Sequence, residues 1–144
     1  MKHTLITQIH ISAPTAKVWQ VLTAFEQYPH WNPFLVSLTG KVEPGKRIHV
    51  KIQPPDGKPM TFKPKVLAFE KEKEFKWLGN LLFPGIFDGE HYFQLIENAD
   101  GSTTLIHGEN FQGLLVGFLK SMLEGNTRQG FQSMNRALKF QCEQ

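Results

Sequence analysis

Alternating apolar and polar residues open the chain, from Thr4 to Ile11, and this alternation is typical of a half-buried strand. Ser12 and Pro14 follow, and both residue types suit the first turn of a helix. The next apolar residues recur at helical spacing: Val18, Val21, Leu22 and Phe25. The pattern therefore predicts a strand followed directly by an amphipathic helix.

The middle of the chain predicts a run of antiparallel strands. Two prolines four residues apart, Pro29 and Pro33, limit the segment after the first helix to a short helical turn and a corner. Beyond it, alternating segments predict strands at 36–42, 48–52, 62–69, 74–78, 91–97 and 102–111. The turn 98–101 between the last two strands places Gly101 where a left-handed backbone is needed.

A long amphipathic helix is predicted from Leu114 onward. Its apolar stripe consists of Val116, Leu119, Leu123, Thr127, Phe131, Met134 and Leu138. The order of elements lacks the alternation of strands and helices that a parallel sheet requires. We expect an α+β fold in which a curved antiparallel sheet of about seven strands wraps round the C-terminal helix. A gap between sheet and helix is the candidate binding site.

Length and charge narrow the class of protein. A chain of 144 residues suits one domain, which we expect to span residues 1–144. The net charge of +3 is a small excess, and the lysines of 63–76 alternate with glutamates, so nucleic acid is not an expected partner. The lone Cys142 allows no disulfide framework. The N-terminus lacks a long apolar segment, which predicts a cytoplasmic protein without membrane insertion.

Several short motifs resemble those of the START-like superfamily, also called SRPBCC, over nearly the whole chain. The residues that carry the resemblance are 11–14 with Val18, Trp19 and Leu22, then 25–34, 87–91, 100–103, 107–109 and 134–139. They are most similar to small bacterial members known as polyketide cyclase or dehydratase-like. The resemblance implies a helix-grip fold with a hydrophobic cavity. Because its members include enzymes, carriers and receptors, and share no fixed catalytic motif, it does not imply one activity.

The hairpin closed by Gly101 sets which residues of its two strands face each other. A three-residue loop would pair His91 with Glu109, Phe93 with His107 and Leu95 with Leu105, all on the inward face. A histidine beside a carboxylate suits general-base catalysis in a cyclase or dehydratase, with His107 or Tyr92 as helpers. The alternative is a buried polar pair that satisfies only itself. The spacing matches no compact zinc motif, so no metal or cofactor is expected.

Our first hypothesis is the binding of a small hydrophobic or aromatic molecule, with lipid- or polyketide-like character, in the cavity. The expected contacts are Trp31, Phe75, Trp77, Phe87, Phe93, His107, Phe111, Leu119 and Leu123. The second hypothesis is the cyclase or dehydratase described above, and the third is a protein-interaction module. The apolar, glycine-rich segment 79–89, with Leu82 and Phe83, suits a lid, a packed edge or a docking loop. Together with an exposed sheet edge, this segment also suits a homodimer contact.

Overall fold

The computed structural model describes residues 1–81 and 83–144, and at position 81 only the backbone. The first half of the chain forms β1 (Lys2–Ile11), α1 (Thr15–Thr23), a 3₁₀ turn (Phe25–Gln27), α2 (Tyr28–Trp31), β2 (Leu35–Thr39), β3 (His49–Ile52) and β4 (Met60–Phe62). The second half forms β5 (Lys65–Glu70), β6 (Glu74–Leu81), β7 (Phe87–Glu97), β8 (Thr103–Gln112), α3 (Val116–Met122), a π-helical segment (Leu123–Thr127) and α4 (Arg128–Cys142).

The strands form two antiparallel sheets that meet edge to edge. The larger sheet has the order β1-β8-β7-β6-β5, and the smaller one has the order β2-β3-β4. Backbone hydrogen bonds join them between the residues just before β3 and the start of β5, from Ile48 to the carbonyl of Pro64 at 3.0 Å and from Val66 to that of Lys46 at 2.8 Å. The α+β fold with a sheet around a C-terminal helix is confirmed.

The described residues contain eight strands where about seven were expected. The difference arises at 62–69, which was predicted as one strand and is split into β4 and β5 around Pro64. Proline cannot donate to a strand ladder. The carbonyl of Pro64 instead accepts the hydrogen bond that links the two sheets. The residues on either side therefore pair with different partners.

The β7–β8 hairpin has the predicted register. Gly101 adopts a φ of +87°, and His91 pairs with Glu109, Phe93 with His107 and Leu95 with Leu105. His91, Phe93 and His107 are buried, as the inward-facing assignment requires. This register brings two imidazoles and a carboxyl together beneath the C-terminal helix.

The C-terminal helical segment packs on the sheet through the predicted stripe. Val116, Leu123, Phe131, Met134 and Leu138 are all buried. The segment begins at Val116 and widens into a π-helical turn between α3 and α4. In α4, Gly130 lies directly under the ring of Phe34. A Cβ at this position would come within 2.5 Å of that ring, so the close packing depends on glycine.

The described residues of the glycine-rich segment 79–89 lie at the distal end of the β6–β7 hairpin. Gly79 and Gly89 pair across the two strands. In the turn, the carbonyls of Gly85 and Ile86 accept hydrogen bonds from the backbone N–H groups of Leu114 and Leu115, which connects this end to the start of α3. Phe83 of the predicted docking loop is 71% exposed, and Leu82 lies outside the described residues.

Candidate functional site

An apolar cavity of about 150 Å³ lies where the smaller sheet, the β6–β8 strands and the π-helical segment approach one another. The residues that line it are Phe34, Ile52, Met60, Thr61, Phe62, Gly79, Asn80, Phe87, Gly89, Glu109, Phe111 and Thr127. Met60 and Asn80 are exposed, so the cavity opens to solvent on their side. Glu109 is the one ionisable side chain in this lining, which makes it the chemical focus of the site.

Glu109 reaches the cavity over Gly89, which lies diagonally across from it on β7, two residues before its pairing partner His91. A Cβ at Gly89 would lie 2.0 Å from Oε2 of Glu109, so any other residue at this position would require the carboxyl group to move from its present place. The side chain of Glu109 is only 15% exposed. Burial raises the pKa of Glu109 to about 8, because the charged carboxylate loses its hydration.

His91 lies behind Glu109, away from the cavity. Its Nδ1 is 3.1 Å from Oε1 of Glu109, and its ring stacks on Trp77 with centroids 4.6 Å apart. The ring also packs against that of Phe131 in α4, with centroids 4.9 Å apart. With a side chain 1% exposed, His91 has its pKa lowered to about 3 by burial, so the imidazole is neutral.

His107 continues the polar contacts into the core. Its Nε2 lies 2.8 Å from Nε2 of His91, and its Nδ1 lies 2.8 Å from Oδ1 of Asn135 on α4. The ring stacks parallel to Phe131 at 4.1 Å. Burial is the main cause that lowers the pKa of His107 well below its ordinary value, with the nearby His91 adding to the effect.

Asn135 and Thr7 close this chain of hydrogen bonds. The amide nitrogen of Asn135 donates to Oγ1 of Thr7 at 2.9 Å, and that hydroxyl donates to the backbone carbonyl of His107 at 2.8 Å. Strands β1, β7 and β8 and helix α4 therefore all contribute to one continuous polar chain that ends at the cavity. Every buried side chain in it has a partner, as low-polarity surroundings require.

The structure separates the residues that we predicted for the site into two groups. Glu109, Phe87 and Phe111 line the cavity. The described cavity lining does not include Trp31, Phe75, Trp77, His91, Phe93, His107, Leu119 or Leu123. Phe75, Trp77 and Phe93 are at most 1% exposed and pack on one another with centroids 5.3 to 6.1 Å apart. These aromatic rings belong to the hydrophobic core on the inner face of the larger sheet.

Sequence reasoning missed several residues of the site. Thr7 and Asn135 could have been found from the sequence. Thr7 is a polar residue on the otherwise apolar face of β1, and Asn135 is one on the otherwise apolar face of α4. Ile52 and Phe62 belong to the smaller sheet, and Phe34 directly precedes its first strand. Nothing in the sequence pattern indicated that these three residues would reach the cavity. Tyr92 lies on the opposite face of β7 from His91, where its hydroxyl covers Gly108.

The described residues contain no group of three histidine, cysteine, aspartate or glutamate side chains placed to hold a metal ion. His91, His107 and Glu109 instead use their polar atoms on one another and on Asn135. In the same part of the chain, no helix is long and apolar enough to span a membrane.

An antiparallel sheet around a C-terminal helix, with an apolar cavity beside that helix, defines the START-like, SRPBCC class with its helix-grip fold. The chain belongs to the family described as polyketide cyclase / dehydrase and lipid transport, whose sequence profile matches residues 2–139. A comparison with curated protein sequences finds no match.

Solved structures with the same fold come from proteins of distant sequence. The Zhui aromatase/cyclase from Streptomyces sp. R1128 is 14% identical, with a TM-score of 0.79 over 99% of this chain and 94% of that chain. A norcoclaurine synthase from Thalictrum flavum is 13% identical, with a TM-score of 0.74 over 99% and 94%. Ara h 8.0201 is 19% identical, with a TM-score of 0.65 over 96% and 98%. At these identities the likeness establishes the fold alone.

Proposed function

We propose that this protein binds a small, mainly apolar molecule containing an aromatic ring in the cavity beside the π-helical segment. The observation that carries the proposal is a cavity of about 150 Å³ whose lining is largely aromatic and aliphatic. A dry apolar cavity of roughly this volume is known to take up benzene. Unlike that enclosed cavity, this one opens to solvent at Met60 and Asn80, which leaves room for a larger ligand to extend outward.

The family match supports this proposal, because its description includes lipid transport together with cyclase and dehydrase activities. The aromatase/cyclase among the similar structures is an enzyme by name, whereas Ara h 8.0201 is not described by any activity. Uptake of an apolar molecule is the step that a carrier and such an enzyme would share.

Titration with naphthalene, followed by its fluorescence, tests the proposal. We expect saturable binding to the wild-type protein and loss of binding in Thr127→Phe, because the larger ring would fill the cavity from the helix side. Thr127→Ser is the matched control and should bind as the wild type does. Absence of saturable binding to the wild type, or equal binding by Thr127→Phe, would overturn the proposal.

A second candidate is acid–base catalysis on the bound molecule. The specific observation in its favour is that Glu109 combines contact with the cavity, a raised pKa and a buried histidine partner. Perturbed carboxyl groups of this kind are frequent at catalytic sites. In this hypothesis Glu109 is the catalytic residue and His91 is a positioning residue, the reverse of the roles expected from the sequence.

A further inference from the structure

The hydrogen-bond chain behind Glu109 has one direction, because it ends on a backbone carbonyl that can only accept. The hydroxyl of Thr7 donates its single proton to the carbonyl of His107. Oγ1 of Thr7 must therefore accept its other contact, which only the amide nitrogen of Asn135 can donate. This places Oδ1 of Asn135, an acceptor, against Nδ1 of His107.

The direction continues through both imidazoles. Nδ1 of His107 carries the proton that it donates to Asn135, so Nε2 of this neutral ring is an acceptor. The facing Nε2 of His91, at 2.8 Å, must then be the donor. Only Nδ1 of His91 remains to meet Oε1 of Glu109, at 3.1 Å. One proton therefore lies in the contact between Glu109 and His91.

The second oxygen of Glu109 is left as an acceptor. Its Oε2 lies over Gly89, a cavity-lining residue, and has no hydrogen-bond donor among the described residues. The proton of the carboxyl group is held on the side of Oε1, so Oε2 cannot donate without breaking the contact with His91. The cavity therefore presents one acceptor, Oε2, within its mostly apolar lining.

We propose that the cavity selects apolar ring compounds that carry one O–H or N–H donor, which donates to Oε2 of Glu109. A compound of the same shape without a donor leaves Oε2 buried and unpaired, which costs binding free energy. A carboxylate of similar size places a desolvated anion against an acceptor, which costs more. This inference rests on the proposed binding function and names the class of ligand for that site.

Binding of three naphthalene derivatives to three forms of the protein tests the inference. The ligands are 2-naphthol, 2-methylnaphthalene, in which a methyl group replaces the hydroxyl, and 2-naphthoate. The proteins are the wild type, Glu109→Gln and Glu109→Met, measured by fluorescence titration at pH 6.5 with thermal melts to check folding. Glutamine can donate to Nδ1 of His91 through its nitrogen and still present a carbonyl oxygen to the cavity.

We expect the ratio of the Kd for 2-methylnaphthalene to that for 2-naphthol to be about tenfold larger in the wild type than in Glu109→Met, the effect of one buried hydrogen bond. Glu109→Gln should keep the wild-type ratio, and 2-naphthoate should bind more weakly than 2-naphthol. Equal ratios in wild type and Glu109→Met, or preferred binding of 2-naphthoate, would overturn the inference while leaving the binding function intact.

Two further results of the same titrations also have a defined meaning. If none of the three ligands binds to the wild type, the binding function fails and the inference fails with it. If Glu109→Met does not fold, the comparison of wild type with Glu109→Gln still decides, because a loss of the preference for 2-naphthol in Glu109→Gln would contradict an acceptor role.

Discussion

At the scale of single residues, Glu109 and His91 have different surroundings and therefore different chemistry. Glu109 touches the cavity, whereas His91 is enclosed by Trp77 and Phe131. A group that reacts with a bound molecule must be able to reach it. Only the carboxyl group meets this condition, and the imidazole sets the side on which its proton is held.

This difference predicts how the protein would remove a proton next to a ketone. With 2-tetralone in D₂O, Glu109 as its carboxylate should take up the α-proton and accelerate exchange, which proton NMR follows by signal loss. Because the pKa of Glu109 is raised to about 8, the protein-dependent rate should rise with pH and level off above that value.

Glu109→Gln should reduce this rate by about a hundredfold or more, the usual effect of losing a general base. Tyr92→Phe is a suitable control, because Tyr92 lies on the other face of β7 and should leave the rate unchanged. Exchange at the same rate with Glu109→Gln would exclude acid–base catalysis by this residue and leave the binding function as the sole proposal.

At the scale of elements, the two glycines near the junction of the π-helical segment and α4 have opposite surroundings. A Cβ added at Gly130 would lie 2.5 Å from the ring of Phe34, whereas one at Gly125 would meet no atom within 4 Å. Glycine lowers helix stability by up to ~1 kcal/mol relative to alanine. One glycine is therefore required by packing, and the other is not.

Alanine substitutions at these two positions should change the free energy of unfolding with opposite signs. Gly125→Ala should stabilise the protein by up to ~1 kcal/mol. Gly130→Ala should destabilise it by roughly 1–3 kcal/mol, because the buried ring of Phe34 would have to move away from its present packing contacts. Urea denaturation followed by circular dichroism measures both, and stabilisation by Gly130→Ala would contradict the packing described here.

The elements themselves were largely predictable from the sequence, and the cavity was not. The Gly101 turn sets the register of β7 and β8, so the meeting of His91, His107 and Glu109 followed from local rules. Which inward aromatic residues would line a cavity depended on how the smaller sheet approaches the π-helical segment. That approach is a long-range packing result, and no periodicity in the sequence encodes it.

Polar residues on apolar faces were the signal that sequence reasoning left unused. Asn135 interrupts the apolar face of α4 between Met134 and Leu138, and Thr7 interrupts that of β1 between Leu5 and Ile9. A buried polar side chain needs a partner. Two such polar residues, facing a predicted pair of inward histidines, would have indicated the whole hydrogen-bonded series from Thr7 to Glu109.

At the scale of the whole molecule, the buried chain makes stability depend on pH in two opposite ways. The histidines have lowered pKa values, so the unfolded state binds more protons than the folded state as pH falls below their ordinary value of 6.5, and stability is lost. Glu109 has a raised pKa, so the folded state keeps a proton that the unfolded state releases above 4.5.

Stability from these groups should therefore be greatest near pH 6.5. Below this value stability falls with falling pH, because the two histidines lose more stability than the one carboxyl group gains. The lowered pKa values of Asp100, Glu124 and Glu143 also reduce stability as pH falls. Above it the loss of the Glu109 contribution exceeds the remaining gain as the unfolded-state histidines lose their protons, and this loss continues until about pH 8. Burial raises the pKa of Cys142 from 9.0 to about 11, so the thiol acts mainly above this range.

Urea denaturation should show the free energy of unfolding of the wild type falling, relative to that of Glu109→Gln, by about 1.5 kcal/mol between pH 6.5 and 8, since one proton contributes about 1.4 kcal/mol per pH unit and the folded carboxyl group is half ionised at about pH 8. Glu109→Gln cannot titrate at this position, so its own stability should rise by less than about 1 kcal/mol over the same range, as the histidines of the unfolded state lose their protons. Parallel slopes in the two proteins would mean that Glu109 is ionised in the folded state at neutral pH. The carboxylate would then pair with a protonated His91, and the cavity would present a charged acceptor rather than a neutral one.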